Sequence, residues 1–423
     1  MKNYFIKKSI LKGSIVIPPS KSQTVRAIIF ASFAKKESLI KNFLKSKDTF
    51  ALIDIMKNIG AKIDIKKNNL KIVGINKKIK LKKNVFDVNN SGIAFRFLSA
   101  IFALFNKKII LTGDKNLIKT RDLSPLIKSL SKLNAKIISK NNGFAPIEIE
   151  GPIDEKDVEI LGEDSQFVSS LLIAKALQKK GSILYVKNPM EKPYVDMTIN
   201  WLKKFNAKII NENYEKFIIE KKANLQGFVY QVPSDFSTML FVIVASLITN
   251  SEITIENIIF DEDQKDFLVI DILKSFNANI IVDKQNNKID IKKSILKGIK
   301  TVDINDNIDA VPILAVFGCF VDELTITNAK VAKFKESNRL VVITKELKKL
   351  NANIEQTNEG LIIKRSTLKK AIVSSHMDHR IALSLIVAAL TIDESCEVQD
   401  VNCIDKTYKN FKKDLNLLGA KII

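Results

Sequence analysis

Cysteine is scarce. The 423 residues hold three, Cys319, Cys396 and Cys403. Their number is odd and no Cys-x-x-Cys pair occurs, so the sequence offers neither a disulfide framework nor a thiolate metal site. Histidine is scarcer still, with only His376 and His379, which excludes a histidine-rich metal centre. Fourteen glycines and nine prolines are too few for a collagen-like or linker-rich chain. Tryptophan occurs once and tyrosine six times, beside 24 phenylalanines. No apolar run approaches the ~18 residues of a membrane span. The lysine-bearing start lacks the apolar core and small-residue cleavage site of a signal peptide. The expectation is a cytoplasmic chain with no membrane, metal or cofactor.

What abounds is positive charge: 68 Lys and Arg against 46 Asp and Glu, a formal net charge of +22. Such an excess suits an anionic partner. The lysines are scattered, however, in pairs such as Lys35-Lys36, Lys66-Lys67 and Lys221-Lys222. There is no long basic block and no interleaved aromatic set to stack on bases. Most of the excess reads as solvated surface, and no nucleic acid is expected as a partner. Apolar residues make up 46% of the chain, enough for real cores.

A four-residue word recurs six times, beginning at Gly60, Asn134, Asn206, Asn277, Asn351 and Gly419, at spacings of 74, 72, 71, 74 and 68 residues. Each copy follows an amphipathic stretch such as "LIKSLSKLNA" and precedes a β-branched run such as "KIIS". Gly or Asn just past a periodic apolar segment predicts a left-handed helix stop, and the run after it predicts a strand. A second series runs in phase with the first. Apolar helical runs open at Ser22, Ser91, Ser165, Asp235, Asp309 and Asp378, residue types that cap helix N-termini. These runs are apolar nearly all round, which predicts burial. Two series in phase give six α/β units, three per lobe. Pro18-Pro19 and Val232-Pro233 mark the crossings, because proline ends a strand and sets an extended path. The expected lobes are 1–17 with 234–423, and 18–233.

The helix starts also carry charged and polar side chains, and a helix N-terminus favours anions. "PPSKSQTVRA" places Ser22 and Arg26 on one face beside Lys21. "NNSGIAFR" has Gly92, where backbone can approach a ligand closely. Arg121 precedes an amphipathic helix, Ser165 and Gln166 open another, and Tyr194 follows a proline. "AKFKESNRL" gathers Lys335, Glu336 and Arg339; "MDHRIA" sets His379 and Arg380 after Asp378; "DKTYKNF" sets Lys406 beside Thr407. Singly, each reads as a cap or a solvated face. Collected at one kind of position, they read as a basic cleft for small, multiply anionic substrates.

At these residues the sequence resembles the 5-enolpyruvylshikimate-3-phosphate synthase family. The blocks "PSKSQTVRA", "NNSGIAFR", "LTGDKNLIKTRDLSPL", "SQF", "KPYVD", "IDAVP", "KESNRL", "DHRIA" and "DKTYKNF" match in order over essentially the whole chain. The resemblance implies a two-lobed α/β (α+β) enolpyruvyl transferase fold of six βαββαβ-type units, with the active site between the lobes. It implies transfer of the enolpyruvyl group of phosphoenolpyruvate to the 5-hydroxyl of shikimate-3-phosphate, with release of phosphate and without a metal. By resemblance, Lys21, Ser22, Arg26, Ser165, Gln166, Tyr194, Asp309 and Lys335 would meet shikimate-3-phosphate. Lys21, Gly92, Arg121, Gln166, Arg339, His379, Arg380 and Lys406 would meet phosphoenolpyruvate. Asp309 is the expected base and Glu336 the expected carbon acid, with Lys21 assisting. A monomer is expected.

The chain departs from the family pattern at several places. Asp164 and Glu191 stand where the family usually has serines that touch the shikimate phosphate. Each carboxylate would cost about 1 kcal/mol by repulsion, when partly screened, unless cations offset it or the side chains turn away. Ile93 and Phe97 replace a common Thr and Pro beside the phosphoenolpyruvate loop, which predicts weakened inhibition by glyphosate. Val331 stands at an often polar position. The nearest rival, UDP-N-acetylglucosamine enolpyruvyl transferase, carries a reactive Cys in a loop for which residues 107–125 here contain none. RNA-terminal-phosphate cyclases share the unit but are usually shorter. A non-catalytic polyanion-binding relative is the alternative from another class.

Overall fold

All six predicted helix stops have left-handed backbone in the computed structural model, which describes residues 2–76 and 78–423. The φ angles are 115° and 101° at Gly60 and Gly419, and 60–68° at Asn134, Asn206, Asn277 and Asn351. Glycine reaches this region without steric cost, and the short Asn side chain tolerates it. Each stop leads into a strand, and the described strands form six four-stranded sheets.

The sheets share one pattern. In the third, Val158–Leu161 runs parallel to Ser182–Lys187, followed by Lys216–Lys221 and Lys208–Glu212, each antiparallel to its neighbour. A parallel pair needs a crossover, and helix Ser165–Leu177 supplies it. Helix Lys192–Lys204 then precedes the hairpin. The order within a unit is therefore βαβαββ. This differs in detail from the expected βαββαβ order. The reason is local: after the helix stop the chain folds straight back as a hairpin, through left-handed Asn213 and Tyr214 in this unit.

Contacts divide the chain into two units. One holds the chain up to Pro18 together with Pro233–Ile423, and the other holds Pro19–Val232. Three sheets draw on distant strands. Lys12–Val16 lies parallel to Glu252–Glu256, and Val229–Gln231 lies parallel to Glu37–Lys41. The first strand, Tyr4–Lys7, pairs with Cys396–Gln399 and Lys421–Ile422. At each proline crossing a strand thus stays with one unit while the helix after it belongs to the other.

The crossover helices are buried nearly all round. Every residue of Phe236–Ile248, Val311–Gly318 and His379–Ala389 is buried. The second helices bury one face, as Lys47–Asn58 does with Leu52, Ile53, Ile55 and Met56. Each such side chain contributes roughly 1.5–3 kcal/mol. In the Pro19–Val232 unit, Trp201 stacks on Phe30 at 5.4 Å and meets Tyr230 at 4.6 Å. Its indole N–H donates to Gln23 Oε1 at 2.6 Å, satisfying the one polar atom of a buried ring. Among the described residues no helix is long and apolar enough to cross a membrane.

One buried cation belongs to the scaffold. Lys175, with no exposed surface, donates to the carbonyls of Lys156 at 2.6 Å and Asp154 at 3.2 Å. Burial lowers its pKa to about 8. Between that value and the usual ~10.4, the unfolded chain holds a proton that the folded chain has lost, so stability rises with pH. From about pH 7 to about pH 10, wild type should gain on the order of 2 kcal/mol over Lys175→Met. Urea titrations at the two pH values measure this, and parallel curves for the two proteins would contradict it.

Candidate active site

In the Pro19–Val232 unit, side chains from three crossover-helix starts and one second helix meet. Helix Lys21–Phe33 is capped by Ser20, whose oxygen accepts from Gln23 N. Lys21 and Ser22, half-buried, lie in its first turn. Ser22 is thus inside the helix rather than its cap. Arg26 is buried and donates to Thr198 Oγ1 at 2.8 and 3.1 Å, to the Tyr194 carbonyl at 3.1 Å and to the Ser22 carbonyl at 3.2 Å. Its guanidinium also lies over Phe97, 5.2 Å from the ring centroid. The geometry ties Arg26 to the helix that carries Tyr194.

Helix Gly92–Phe102 starts beside two further arginines. A Cβ on Gly92 would come within 2.9 Å of an Arg96 Nη and 3.2 Å of Arg121 Nε. Glycine here makes room for two guanidinium groups. Arg96 was not among the sequence candidates. It donates to Gln166 Oε1 at 3.1 Å and pairs with Asp164 at 3.0 Å. Asp164, not Ser165, caps helix Ser165–Leu177, accepting from Gln166 N. Glu191 instead accepts from Ser165 N at 3.2 Å and Ser165 Oγ at 3.1 Å. Of the two acidic departures, one is matched by an arginine and the other is turned onto a serine.

The other unit builds a tighter cluster around Arg339, which is 1% exposed. Arg339 opens helix Arg339–Lys349 behind its cap Asn338. Its guanidinium reaches Asp378 at 2.8 Å, Asp309 at 2.7 Å and Glu336 at 2.8 Å. Asp309 also accepts from Arg380 at 2.6 Å, and Glu336 from Lys406 at 2.7 Å. Arg380 reaches Ser237 Oγ at 2.9 Å. Each of the two carboxylates expected to move protons thus bridges two cations.

Asp309 is not a helix cap, contrary to the sequence reading. It lies in the tight turn Asn305–Ala310, and helix Val311–Gly318 has Ala310 at its cap with no side-chain bond. Pro312 in the first turn has no N–H to satisfy, so the Asp309 carboxylate faces side chains. Burial alone would raise its pKa, but Arg380, Arg339 and Lys335 outweigh that and hold it well below the usual carboxylate range. Burial opposes the charge of Arg339 too, yet Asp378, Glu336 and Asp309 push its pKa above its ordinary value.

Asp378 is the second residue that sequence reasoning left out of the site. It caps helix His379–Ala389 through Arg380 N, accepts from Ser337 Oγ at 3.1 Å, and holds Arg339. It therefore fixes both arginines, one by its backbone and one by its side chain. Glu336, Asp378 and His379 bring possible metal-ligand atoms within 4.8 Å of one another. The two carboxylates face Arg339 and Lys406, which already balance their charge.

One signal would have found Arg96. The sequence has only six arginines among its 68 basic residues. Arg26, Arg96, Arg121, Arg339 and Arg380 are buried, and Arg365 is exposed. A planar fork that serves several acceptors at once cannot be replaced by lysine. In a lysine-rich chain, the remaining arginines mark the places where the fork is needed.

A family model described as EPSP synthase (3-phosphoshikimate 1-carboxyvinyltransferase) matches residues 6–415. A Chlamydia caviae protein named 3-phosphoshikimate 1-carboxyvinyltransferase is 37% identical over 427 residues, covering 100% of this chain and 95% of that protein. A Chlamydia pneumoniae protein of the same name is 35% identical, with 100% and 95% covered. Among solved structures, an EPSP synthase from Acinetobacter baumannii superposes with a TM-score of 0.83 at 24% identity, covering 100% of this chain and 99% of that one. That likeness speaks for the fold.

Proposed function

Because the chain belongs to the EPSP synthase (3-phosphoshikimate 1-carboxyvinyltransferase) family, we propose that it transfers the enolpyruvyl group of phosphoenolpyruvate to the 5-hydroxyl of shikimate-3-phosphate. The reaction serves chorismate and aromatic amino acid biosynthesis. The observation that carries the reading is the Arg339 cluster. It holds two carboxylates, Asp309 and Glu336, against Arg339, Arg380 and Lys406.

The chemistry needs those parts. A proton adds to the methylene carbon of the donor, and the acceptor oxygen bonds to C2 as its own proton leaves. A proton then leaves the new methyl group as the C2–O bond to phosphate breaks. Atoms balance as one enol ether and one inorganic phosphate. Asp309 takes the hydroxyl proton and Glu336 serves the carbon, with Lys21 assisting. Gly92, Arg121, Arg339, His379, Arg380 and Lys406 hold the donor, and the cations among them stabilise the departing phosphate. Lys21, Ser22, Arg26, Ser165, Gln166, Tyr194 and Lys335 hold the acceptor, with Gln166 shared. The protein acts as a cytoplasmic monomer.

The test is acceptor dependence. Phosphate should appear from phosphoenolpyruvate with shikimate-3-phosphate and not with UDP-N-acetylglucosamine. The reverse pattern would support the rival transferase. The polyanion-binding alternative is disfavoured by the burial of five of the six arginines. Glyphosate should inhibit weakly, because Ile93 and Phe97 are buried at the helix that carries Arg96. Inhibition as strong as in a family member with Thr and Pro at these positions would contradict this.

A further inference from the structure

Glu346 is a buried carboxylate with no part in the proposed chemistry. It has no exposed surface. It lies on helix Arg339–Lys349, two turns beyond Arg339, so the two side chains project from one face. That face meets the turn 374–378, which joins strand Ile372–Ser374 to helix His379–Ala389. At one end of the turn, Arg339 holds Asp378 at 2.8 Å. At the other, Glu346 Oε2 accepts from Ser374 N at 3.0 Å. His376 Nε2 faces Glu346 Oε1 at 2.9 Å, and against a carboxylate oxygen it is the donor. Lys349 donates to both oxygens, at 3.0 and 2.7 Å. Burial opposes the charge of Glu346, but Lys349, His376 and Ser374 N hold its pKa below the usual value.

The turn needs such a hold. His376 and Met377 follow one another with φ 50° and 61°, a region that side chains other than Gly and Asn resist. Ser374 lies on an edge strand, whose outward N–H needs an acceptor outside the ladder. Glu346 supplies it. Asp378 N then donates to the Ser375 carbonyl at 3.0 Å, and Asp378 caps the next helix through Arg380 N. A shift of the turn therefore passes directly to Asp378, Arg339 and Arg380.

We propose that Glu346 is a positioning residue for the donor site: through Ser374 and His376 it fixes the turn that sets Asp378, and with it Arg339 and Arg380. This rests on the assignment of the two arginines to phosphoenolpyruvate.

The test uses the full-length protein with nitrogen-15 in its histidines. His376 and His379 are the only two. His376→Ala and His376→Gln therefore each leave one ring, that of His379, in the NMR spectrum. Alanine removes the donor to Glu346, and glutamine replaces it with an amide N–H. The His376 side chain is 35% exposed, so neither change disturbs the core. Glu346→Gln keeps the shape and removes the charge.

In His376→Ala and Glu346→Gln, the KM for phosphoenolpyruvate should rise about tenfold or more. Calorimetric binding of shikimate-3-phosphate alone should change by less than about twofold. His376→Gln should keep a KM near that of wild type. The His379 signal should differ between His376→Ala and His376→Gln; both lack the second imidazole, so the difference reports the lost hydrogen bond. An unchanged donor KM in His376→Ala, with the same His379 signal as His376→Gln, overturns the proposal whether or not Glu346→Gln folds. Equal weakening of shikimate-3-phosphate binding also overturns it, as does a His376→Gln no better than His376→Ala. Failure of the functional reading looks different: wild type releases no phosphate from the two substrates. The His379 signal still decides the role of Glu346 in that case.

Discussion

Arg339→Met should unfold more easily by about 3–5 kcal/mol and lose phosphate release by a factor of about a thousand or more. The size follows from what the guanidinium holds. Asp378, Asp309 and Glu336 all lie within 2.8 Å of it, and it is almost wholly buried. Removing one cation leaves three carboxylates to repel each other in a poorly solvated site, with the Arg380 side chain on Asp309 and the Lys406 ammonium on Glu336. Arg339→Lys separates charge from shape. An ammonium cannot present three directions in one plane, so stability should return in part, while kcat/KM stays about a hundredfold low. Denaturant titration and phosphate release measure both quantities. Wild-type stability in Arg339→Met would show that the cluster is not held together as described.

Asp309→Asn should lower kcat by a factor of about a hundred to ten thousand, and it should also lower stability, because a carboxylate whose pKa is depressed on folding stabilises the fold while ionised. On the proposed mechanism, the resting geometry keeps this residue silent until the donor arrives. Between Arg339 at 2.7 Å and Arg380 at 2.6 Å, Asp309 stays ionised far into acid and is a poor base. Donor phosphate and carboxylate groups on those arginines would weaken their hold and raise its pKa. The pH profiles follow with a definite sign. A base must be unprotonated, so activity falls as pH drops through its pKa in the complex. The acid limb of kcat should therefore lie at higher pH than the free-enzyme value for Asp309 would allow, and it should be absent in Asp309→Asn. Glu336→Gln should lose kcat comparably, since Glu336 links Arg339 to Lys406. Undiminished turnover in both variants would remove the mechanism.

The repeat was legible because it is written in backbone chemistry. A left-handed stop needs Gly or Asn, and that need is local, so Gly60 through Gly419 could be read directly. The order of strands inside a unit was less so, because a hairpin and a crossover both appear in sequence as short β-branched runs. Caps were read one or two residues late at Ser22 and Ser165. Ser20 and Asp164 cap equally well, and periodicity does not fix the first turn. Asp309 was misread as a cap because only the turn at 305–310 frees its carboxylate.

Arg96 and Asp378 escaped notice for a related reason. Each acts on other side chains, Arg96 on Asp164 and Gln166, and Asp378 on Arg339. Partnerships across 70 or 39 residues leave no local pattern. The net charge, by contrast, was a poor guide to function. The arginines were the informative fraction, and five of the six lie inside the protein.

The most direct test follows the carbon skeleton. Phosphoenolpyruvate labelled with carbon-13 at C2 is incubated with shikimate-3-phosphate and the wild-type protein, and the products are read by NMR. The account predicts that the label moves into a vinyl ether on the acceptor's 5-oxygen, with one inorganic phosphate released per ether formed. Label recovered as pyruvate, or left in unchanged phosphoenolpyruvate, would contradict it.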